Sequence, residues 1–277
     1  MATLAFMADR TNRAGRVAGK VAVIIGGSSG FGLATGERLV EEGATVVVGG
    51  RRGDLAAEVG EQLGGWGMQC DVTDHDSVEA LVAAVMDRHG SVDIGMNCAG
   101  FAASIRIEDL TPDTLGDMVD VQFIGGVWAI KHLCNAMAAS GGGSMISVSS
   151  LTAQNPGGGH AAYAGSKKAI EYITQIAAVE YGAANVRVNA IAAHLIETPM
   201  TAGLFEVPLR LEAMIQQTPL GRMGHVSDIA NCALYLGSDE AGYVSGEIIK
   251  VDGAASTQKL PGPIEYAQLR ETRPDLA

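Results

Sequence analysis

The sequence predicts an α/β fold, a doubly wound parallel sheet of about seven strands with helices on both faces. Three observations predict it. Short apolar runs alternate with longer amphipathic segments, the runs are apolar at nearly every position, and no internal repeat or linker-like composition interrupts the alternation. A strand that is buried on both faces is apolar throughout, and helical crossovers between such strands make them parallel.

The elements follow in a regular order along the chain. Helix 226–237 shows the helical pattern most clearly, because its apolar residues recur at helical spacing and Ser227 is a candidate N-cap. The candidate strands are 21–25, 44–48, 68–72, 92–96, 145–148, 186–191 and 248–251. The candidate helices are 30–42, 54–63, 75–89, 112–139, 162–182 and 226–237.

These elements predict one domain, residues 18–255, with extensions at 1–17 and 256–277. Segment 196–218 lies outside the strand–helix alternation and is flanked by prolines, so we predict that it forms a lid over the substrate. The proline-containing tail is either an arm that reaches another subunit or a loosely attached end.

Composition limits the class of function. The 277 residues carry a formal charge of −12, from 19 Lys and Arg against 31 Asp and Glu, which disfavours non-specific nucleic-acid binding. No segment approaches the ~20 apolar residues of a membrane span, and the apolar stretch near the N-terminus is too short for a signal peptide. The 4 cysteines are far apart, and neither they nor the histidines have metal-ligand spacing. We therefore expect a cytoplasmic protein that binds small molecules, without a metal, a membrane or a nucleic acid as partner.

A glycine-rich turn follows the first predicted strand and opens a helix. Glycines let the backbone approach a ligand closely, and the free N–H groups of a helix N-terminus attract a pyrophosphate. A tight strand-to-helix turn without a ligand is the alternative. The candidate cofactor residues in this turn are Gly26, Ser28, Ser29, Gly30, Phe31 and Gly32.

The end of the second strand bears on the choice of nucleotide. A carboxylate there would bind the ribose 2′-hydroxyl of NAD, but the chain has Arg51 and Arg52 instead. Guanidinium groups suit a 2′-phosphate, so NADP(H) is favoured, with NAD(H) as the alternative if both arginines are only surface charges. Asp71 and Val72, after the third strand, are candidates for contact with the adenine, and a solvent-facing carboxylate is the alternative.

Tyr163 and Lys167 are one helical turn apart, on one face of a predicted helix. We expect the ammonium to lower the pKa of the phenol toward neutrality, so that the tyrosine exchanges a proton with a carbonyl or an alcohol. Ser150, at the carboxyl end of the fifth strand, faces the crevice in which such sheets bind ligands. It is a candidate hydrogen-bond donor to the substrate oxygen.

Together these motifs resemble the classical short-chain dehydrogenase/reductase family over about 18–255. The resemblance implies a single Rossmann-type domain, a nicotinamide cofactor, and catalysis by Ser150, Tyr163 and Lys167, with the lysine also binding the cofactor ribose. It implies that Thr198 holds the carboxamide, with Ile196 also at the cofactor. It also implies cofactor contacts at Asn97, Ala99 and Gly100. The other matching motifs are Val188-Asn189-Ala190 and Val251-Asp252-Gly253.

The chain departs from the family pattern at three positions. Ile25 replaces a threonine before the glycine turn. Gln122 is the fourth candidate catalytic residue, because the resemblance aligns it with the helix asparagine that anchors a proton-relay water; its longer side chain puts that relay in question. Ala193-His194 replaces a Pro-Gly pair, which predicts His194 near the nicotinamide unless it is an ordinary loop residue.

The sequence therefore predicts an oxidoreductase that interconverts a secondary alcohol and a ketone by hydride transfer, with Tyr163 as general acid/base. A nucleotide-binding sensor or scaffold on the same fold is the alternative, and reduction of a conjugated double bond or dehydration is a third hypothesis. The resemblance also implies a homo-oligomer, a tetramer or a dimer, paired through the helices near 112–139 and 162–182.

Overall fold

The chain forms a seven-stranded parallel sheet, in a computed structural model that describes residues 15–257 and residue 271. The strand order is β3-β2-β1-β4-β5-β6-β7, so the chain reverses its winding direction between β1 and β4. This confirms the predicted doubly wound sheet. The strands are β1 Val21–Ile25, β2 Thr45–Gly50, β3 Trp66–Gln69, β4 Ile94–Asn97, β5 Gly143–Ser150, β6 Val186–Ala193 and β7 Ile248–Val251.

Helices cover both faces of the sheet and enclose two apolar cores. One core lies under α1, α2 and α9, and the other lies under α3, α5 and α6. The helices are α1 Gly30–Glu41, α2 Gly53–Gln62, α3 His75–His89, α4 Pro112–Val119, α5 Gly125–Ala139, α6 Ala161–Tyr181, α7 Ala202–Phe205, α8 Pro208–Gln216 and α9 Val226–Gly237.

The third strand lies earlier in the chain than predicted, at Trp66–Gln69 instead of 68–72. The pairing with β2 stops after the Cys70 amide donates to Gly50 O, and Asp71 then accepts from the Thr73 amide in a turn. The apolar run misled the prediction because Cys70 and Val72 are buried without being in the strand.

The predicted helix 112–139 is divided into α4, a π-helical turn at Asp120–Ile124, and α5. A π turn adds a residue to the helical repeat and often marks a functional position, and this one contains Gln122. The predicted cap of α9 is wrong as well. His225 is the N-cap, and its Nδ1 accepts from the Ser227 amide.

The segment predicted as a lid contains α7 and α8 and begins where Ile196 bridges to Gly224. The predicted extensions lie mostly outside the described residues, which begin at residue 15 and continue to residue 257. None of the described helices combines the length and apolar composition needed to cross a lipid bilayer.

Candidate active site

The candidate catalytic residues meet where the carboxyl end of β5 packs against the start of α6. Ser150 is the last residue of β5, and Tyr163 lies in the first turn of α6. Lys167 follows one turn later, is only 6% exposed, and points its Nζ back to the strand, where it donates to Val148 O over 2.7 Å. Ser150, Tyr163 and Lys167, three of the four candidate catalytic residues, are therefore neighbours in the structure.

The pKa of Tyr163 moves in the opposite direction from the prediction. Burial raises it above the ordinary value, and a hydrogen bond with Ser150 only partly opposes this. The Lys167 Nζ lies 5.8 Å from the centre of the tyrosine ring, and burial lowers the pKa of Lys167 itself to about 8. The expected effect of the ammonium fails because the same burial that brings the two groups together disfavours both charged forms.

Thr152 orients the Ser150 hydroxyl, a contact that sequence analysis missed. Ser150 Oγ accepts from the Thr152 amide over 3.2 Å and from its hydroxyl over 3.0 Å. A serine hydroxyl has two lone pairs and one proton, so accepting twice leaves it as a donor. Hydrogen-bond donation is the role that the sequence predicts for Ser150. The only sequence signal for the contact with Thr152 is a threonine two residues after a strand-end serine.

The glycine turn between β1 and α1 has no room for larger residues. Gly26 and Gly30 have φ of 77° and 54°, and a Cβ on Gly26 would lie 2.8 Å from the Ala99 amide nitrogen. A Cβ on Gly32 would lie 2.5 Å from Gly26 O. The N-cap Ser29 makes no side-chain capping bond, so the first N–H groups of α1 stay available to an anion.

Residues from two other segments, the loop after β4 and residues 196–198, lie next to this turn. Asn97 is buried, and its Oδ1 accepts from the Ala99 amide over 3.1 Å, which shapes the loop after β4. Thr198 lies opposite the glycine turn, because a Cβ on Gly30 would be 3.5 Å from its Cγ2. The Ile196 side chain is buried in the core under α1, α2 and α9. Ser28 lies against the end of β2, and Phe31 packs against the core under α1.

The predicted nucleotide-selecting residues lie at the carboxyl ends of β2 and β3. Arg51 and Arg52 are exposed, and no hydrogen bond or ion pair joins their guanidinium groups to other described residues. Asp71 Oδ1 accepts from both the amide and the hydroxyl of Thr73, at 3.0 and 2.8 Å. The Val72 side chain packs closely on Gly125 at the start of α5.

Gln122 is 3% exposed and reaches the loop after β4. Its Nε2 donates to Phe101 O and lies 3.8 Å from Met118 Sδ, while its Oε1 has no partner within the described part of the chain. A Cβ on Gly100 would lie 2.8 Å from that Oε1. The longer amide therefore packs against the backbone of Gly100 and Phe101.

His194 lies beside Asp252 near the end of β7, where its backbone amide donates to Val251 O. Burial lowers the pKa of His194, and the Asp252 carboxylate opposes this. Its Nε2 has no hydrogen-bond partner among the residues described. The contact with Asp252 could not be predicted from sequence, because it depends on the pairing of β6 with β7.

The structure also groups side chains that the histidine spacing did not suggest. His75, Asp76 and Glu79 are the one group of potential metal ligands within the described ranges. His75 Nε2 is already contacted by Lys131 Nζ at 2.9 Å and His132 Nε2 at 3.1 Å. The Lys131 ammonium beside His75 would repel a metal ion. We therefore assign these contacts to the packing of α3 against α5.

Comparisons with known proteins find matches over most of the chain. The sequence model of a family described as enoyl-(acyl carrier protein) reductase matches residues 25–256. A 2,5-dichloro-2,5-cyclohexadiene-1,4-diol dehydrogenase of Sphingobium indicum is 36% identical over 248 residues, which cover 88% of this chain and 98% of the relative. A short-chain type dehydrogenase/reductase from Mycobacterium ulcerans has a solved structure that is 33% identical, with a TM-score of 0.84 over 92% of this chain and 95% of its own.

The chain belongs to the short-chain dehydrogenase/reductase family. It is therefore an oxidoreductase of hydroxyl and keto groups, and the family implies a nicotinamide cofactor. A 3alpha-hydroxysteroid dehydrogenase of Mediterraneibacter gnavus is 34% identical over 243 residues, 85% of this chain and 96% of the relative. A dinucleotide fits the site of this short-chain dehydrogenase/reductase, because Ser29 makes no capping bond and leaves the first N–H groups of α1 available to a pyrophosphate.

Proposed function

We propose that this short-chain dehydrogenase/reductase interconverts a secondary alcohol and a ketone, with NADP(H) as its cofactor and Tyr163 as general acid/base. The supporting observation is the convergence of Tyr163, Lys167 and an oriented Ser150 next to the glycine turn. A bound nicotinamide would supply or accept the hydride, while the side chains of this chain bind the substrate oxygen and move its proton.

Because Thr152 occupies both lone pairs of Ser150, the one hydroxyl proton of Ser150 would turn from Tyr163 to the substrate oxygen when the substrate binds. Tyr163 gives a proton to that oxygen during reduction and takes one during oxidation. Lys167 binds the cofactor ribose and keeps a positive charge near the phenol. Gln122 supports the loop that carries Gly100 and takes the place of the family's asparagine.

The cofactor would lie across the carboxyl edge of the sheet. Gly26, Gly30 and Gly32, with the serines between them, hold the pyrophosphate at the start of α1. Asn97, Ala99 and Gly100 line the next strand end, and Asp71 with Val72 borders the adenine. Ile196 and Thr198 hold the carboxamide side.

NADP(H) is favoured over NAD(H) by the charge at the end of β2. Arg51 and Arg52 are exposed, make no ion pair with a described residue, and are not preceded by a carboxylate in β2. A 2′-phosphate gives guanidinium groups charge-assisted hydrogen bonds, whereas the 2′-hydroxyl of NAD needs an acceptor there.

We propose an alicyclic secondary alcohol, or the matching ketone, as the substrate class. Relatives that cover most of this chain are named for a cyclohexadiene diol, a hydroxysteroid and cis-4-hydroxycyclohexanecarboxylate. In a ring carbinol, the oxygen and the hydrogen on the carbinol carbon have a fixed orientation relative to the rest of the ring. Such a rigid substrate suits a site built from the two rigid elements β5 and α6. Segment 196–218, with α7 and α8, would close over the ring.

The outer face of α6 supports a homo-oligomer. Tyr172, Ile176 and Val179 recur at helical spacing and are 66%, 38% and 83% exposed. A stripe of this kind is typical of a helix that packs against a second copy.

The described cysteines are all free thiols, which favours a reducing compartment such as the cytoplasm.

A panel of cyclic, aromatic and aliphatic ketones and alcohols, assayed with NADPH and NADH, tests the proposal. We expect turnover of ring ketones with NADPH, and product analysis should show reduction at the carbonyl. Cofactor binding without turnover of any panel member would favour the sensor alternative, and a reduced carbon–carbon double bond would favour the third hypothesis.

A further inference from the structure

Glu171 is a buried carboxylate without a role in the mechanism above. It lies one turn after Lys167 and two turns after Tyr163, so these three side chains form one row along α6. Glu171 is only 3% exposed. Burial of a carboxylate is costly unless the surroundings supply hydrogen bonds, so the contacts of Glu171 show what the charge does there.

Those contacts lead to the segment that carries Ser150. Glu171 Oε1 accepts from Ser149 Oγ over 2.9 Å and from Gln154 Nε2 over 3.3 Å. Its other oxygen accepts from Lys168 Nζ over 3.0 Å, and the Lys168 side chain is 63% exposed. One oxygen of Glu171 therefore holds the end of β5 and the loop beyond it, and the other holds a surface lysine.

Each residue of this row on α6 meets one of the last three residues of β5. Lys167 Nζ donates to Val148 O, Glu171 accepts from Ser149 Oγ, and Tyr163 lies beside Ser150, whose hydroxyl lowers the pKa of the phenol. Val148 is therefore held through its backbone oxygen, whereas Ser149 and Ser150 meet the helix through their side-chain hydroxyls.

We propose that Glu171 is a positioning residue for the reaction, which sets the distance and direction of Ser150 relative to Tyr163 by holding Ser149 and Gln154. The carboxylate touches neither the substrate nor the cofactor in this proposal and acts only through these two neighbours. The inference rests on the function proposed for Ser150 and Tyr163, and it adds a residue to which the sequence motifs gave no role.

The decisive comparison uses two variants of similar volume. Glu171→Gln keeps an amide oxygen that accepts from Ser149 and Gln154, and it loses only the charge toward Lys168. Glu171→Leu fills the space but leaves the Ser149 hydroxyl and the Gln154 amide without an acceptor. Lys168→Ala is the matched control, because it removes the exposed ion pair and leaves Oε1 with its partners.

Three quantities are measured for each variant that folds, as judged by near-ultraviolet circular dichroism. These are kcat and KM for a ring ketone, the Kd for NADPH by calorimetry, and the pKa of Tyr163 in the cofactor-free protein. The pKa is read from the 13Cζ signal of labelled tyrosine, assigned with Tyr163→Phe. Ser150, Lys167 and the Cys98 thiol beside that lysine are the groups that face this phenol or its partner.

We expect Glu171→Leu to lower kcat about tenfold or more while the Kd for NADPH changes less than about twofold, because only Ser150 is displaced. The pKa of Tyr163 should rise by about 0.5 as the hydrogen bond with Ser150 weakens. Glu171→Gln and Lys168→Ala should keep wild-type kcat and wild-type tyrosine pKa. Adding Ser149→Ala to Glu171→Leu should cost little more than Glu171→Leu alone.

The proposal is overturned if Glu171→Leu keeps the kcat and the tyrosine pKa of the wild type, or if Glu171→Gln loses as much as Glu171→Leu. If Glu171→Leu does not fold, Ser149→Ala and Gln154→Ala take its place, and unchanged values in both reject the role. The tyrosine titration needs no substrate, so it tests the positioning role even if the panel of ketones yields no turnover.

Discussion

Lys167 Nζ donates to Val148 O over 2.7 Å, which joins α6 to β5 inside the protein instead of at its surface. The lysine is 6% exposed, and burial lowers its pKa to about 8. The site therefore contains an ammonium that loses its proton near pH 8. This contact also fixes where the nitrogen lies relative to the Tyr163 ring.

The buried lysine predicts a pH-dependent stability. The pKa of Lys167 is lower in the folded than in the unfolded chain. Between about pH 8 and 10 the unfolded state therefore binds more protons, and the free energy of unfolding increases as the pH rises. Relative to Lys167→Met, the free energy of unfolding of the wild type should increase by about 2 kcal/mol between about pH 7.5 and 10. Urea unfolding of both proteins measures it, and the comparison cancels the titration of Cys70, Cys134 and Cys232, while Cys98 is coupled to the lysine. A constant difference would contradict a lowered lysine pKa.

Tyr163→Phe should abolish turnover, with a loss of at least about 10³-fold in kcat, because the phenol is the group proposed to exchange the proton with the substrate oxygen. The Kd for NADPH should stay within about twofold, since the glycine turn is untouched. Steady-state rates and calorimetry measure the two effects. Substantial remaining activity would remove the tyrosine from the mechanism.

Thr152→Val should lower kcat by about 3- to 10-fold, because Ser150 loses one of the two donors that orient it. Thr152→Ser keeps the hydroxyl and is the matched control, for which we expect a wild-type rate. Equal rates in the two variants would show that the Thr152 hydroxyl does not orient Ser150.

Arg51→Ala should reduce kcat/KM with NADPH by about 10- to 100-fold, as expected for loss of a charge-assisted contact to a phosphate. The same variant assayed with NADH is its own control and should change little. A wild-type enzyme that prefers NADH would reject the role given to Arg51 and Arg52.

Ile176→Asp places a charge in the exposed apolar stripe of α6 and should reduce the molar mass in solution to that of a smaller assembly or a monomer. Light scattering measures it. Leu209→Asp, at a side chain that is 81% exposed in α8, is the matched control. A wild type that is already monomeric would contradict the oligomer proposal.

Local sequence patterns were sufficient for most elements of the sheet. Residues 21–25 are apolar at every position, and a continuous apolar run of that length, followed by glycines, predicts a strand buried on both faces. The pattern failed at β3, where Trp66, Gly67, Met68 and Gln69 form the edge strand, and the buried Cys70 and Val72 lie beyond its end. Burial and strand pairing coincide in the centre of a sheet but separate at its edge.

The sequence by itself determined which residues are available for chemistry and roughly where they lie, because parallel strands bring their carboxyl ends to one edge and helical spacing places Tyr163 and Lys167 on one face. Only the tertiary structure decided how these groups behave. The pKa of Tyr163, the donor role of Ser150 and the contacts of Glu171 all depend on burial and on hydrogen bonds between β5 and α6. Such long-range terms come from packing, which no local pattern of residues specifies.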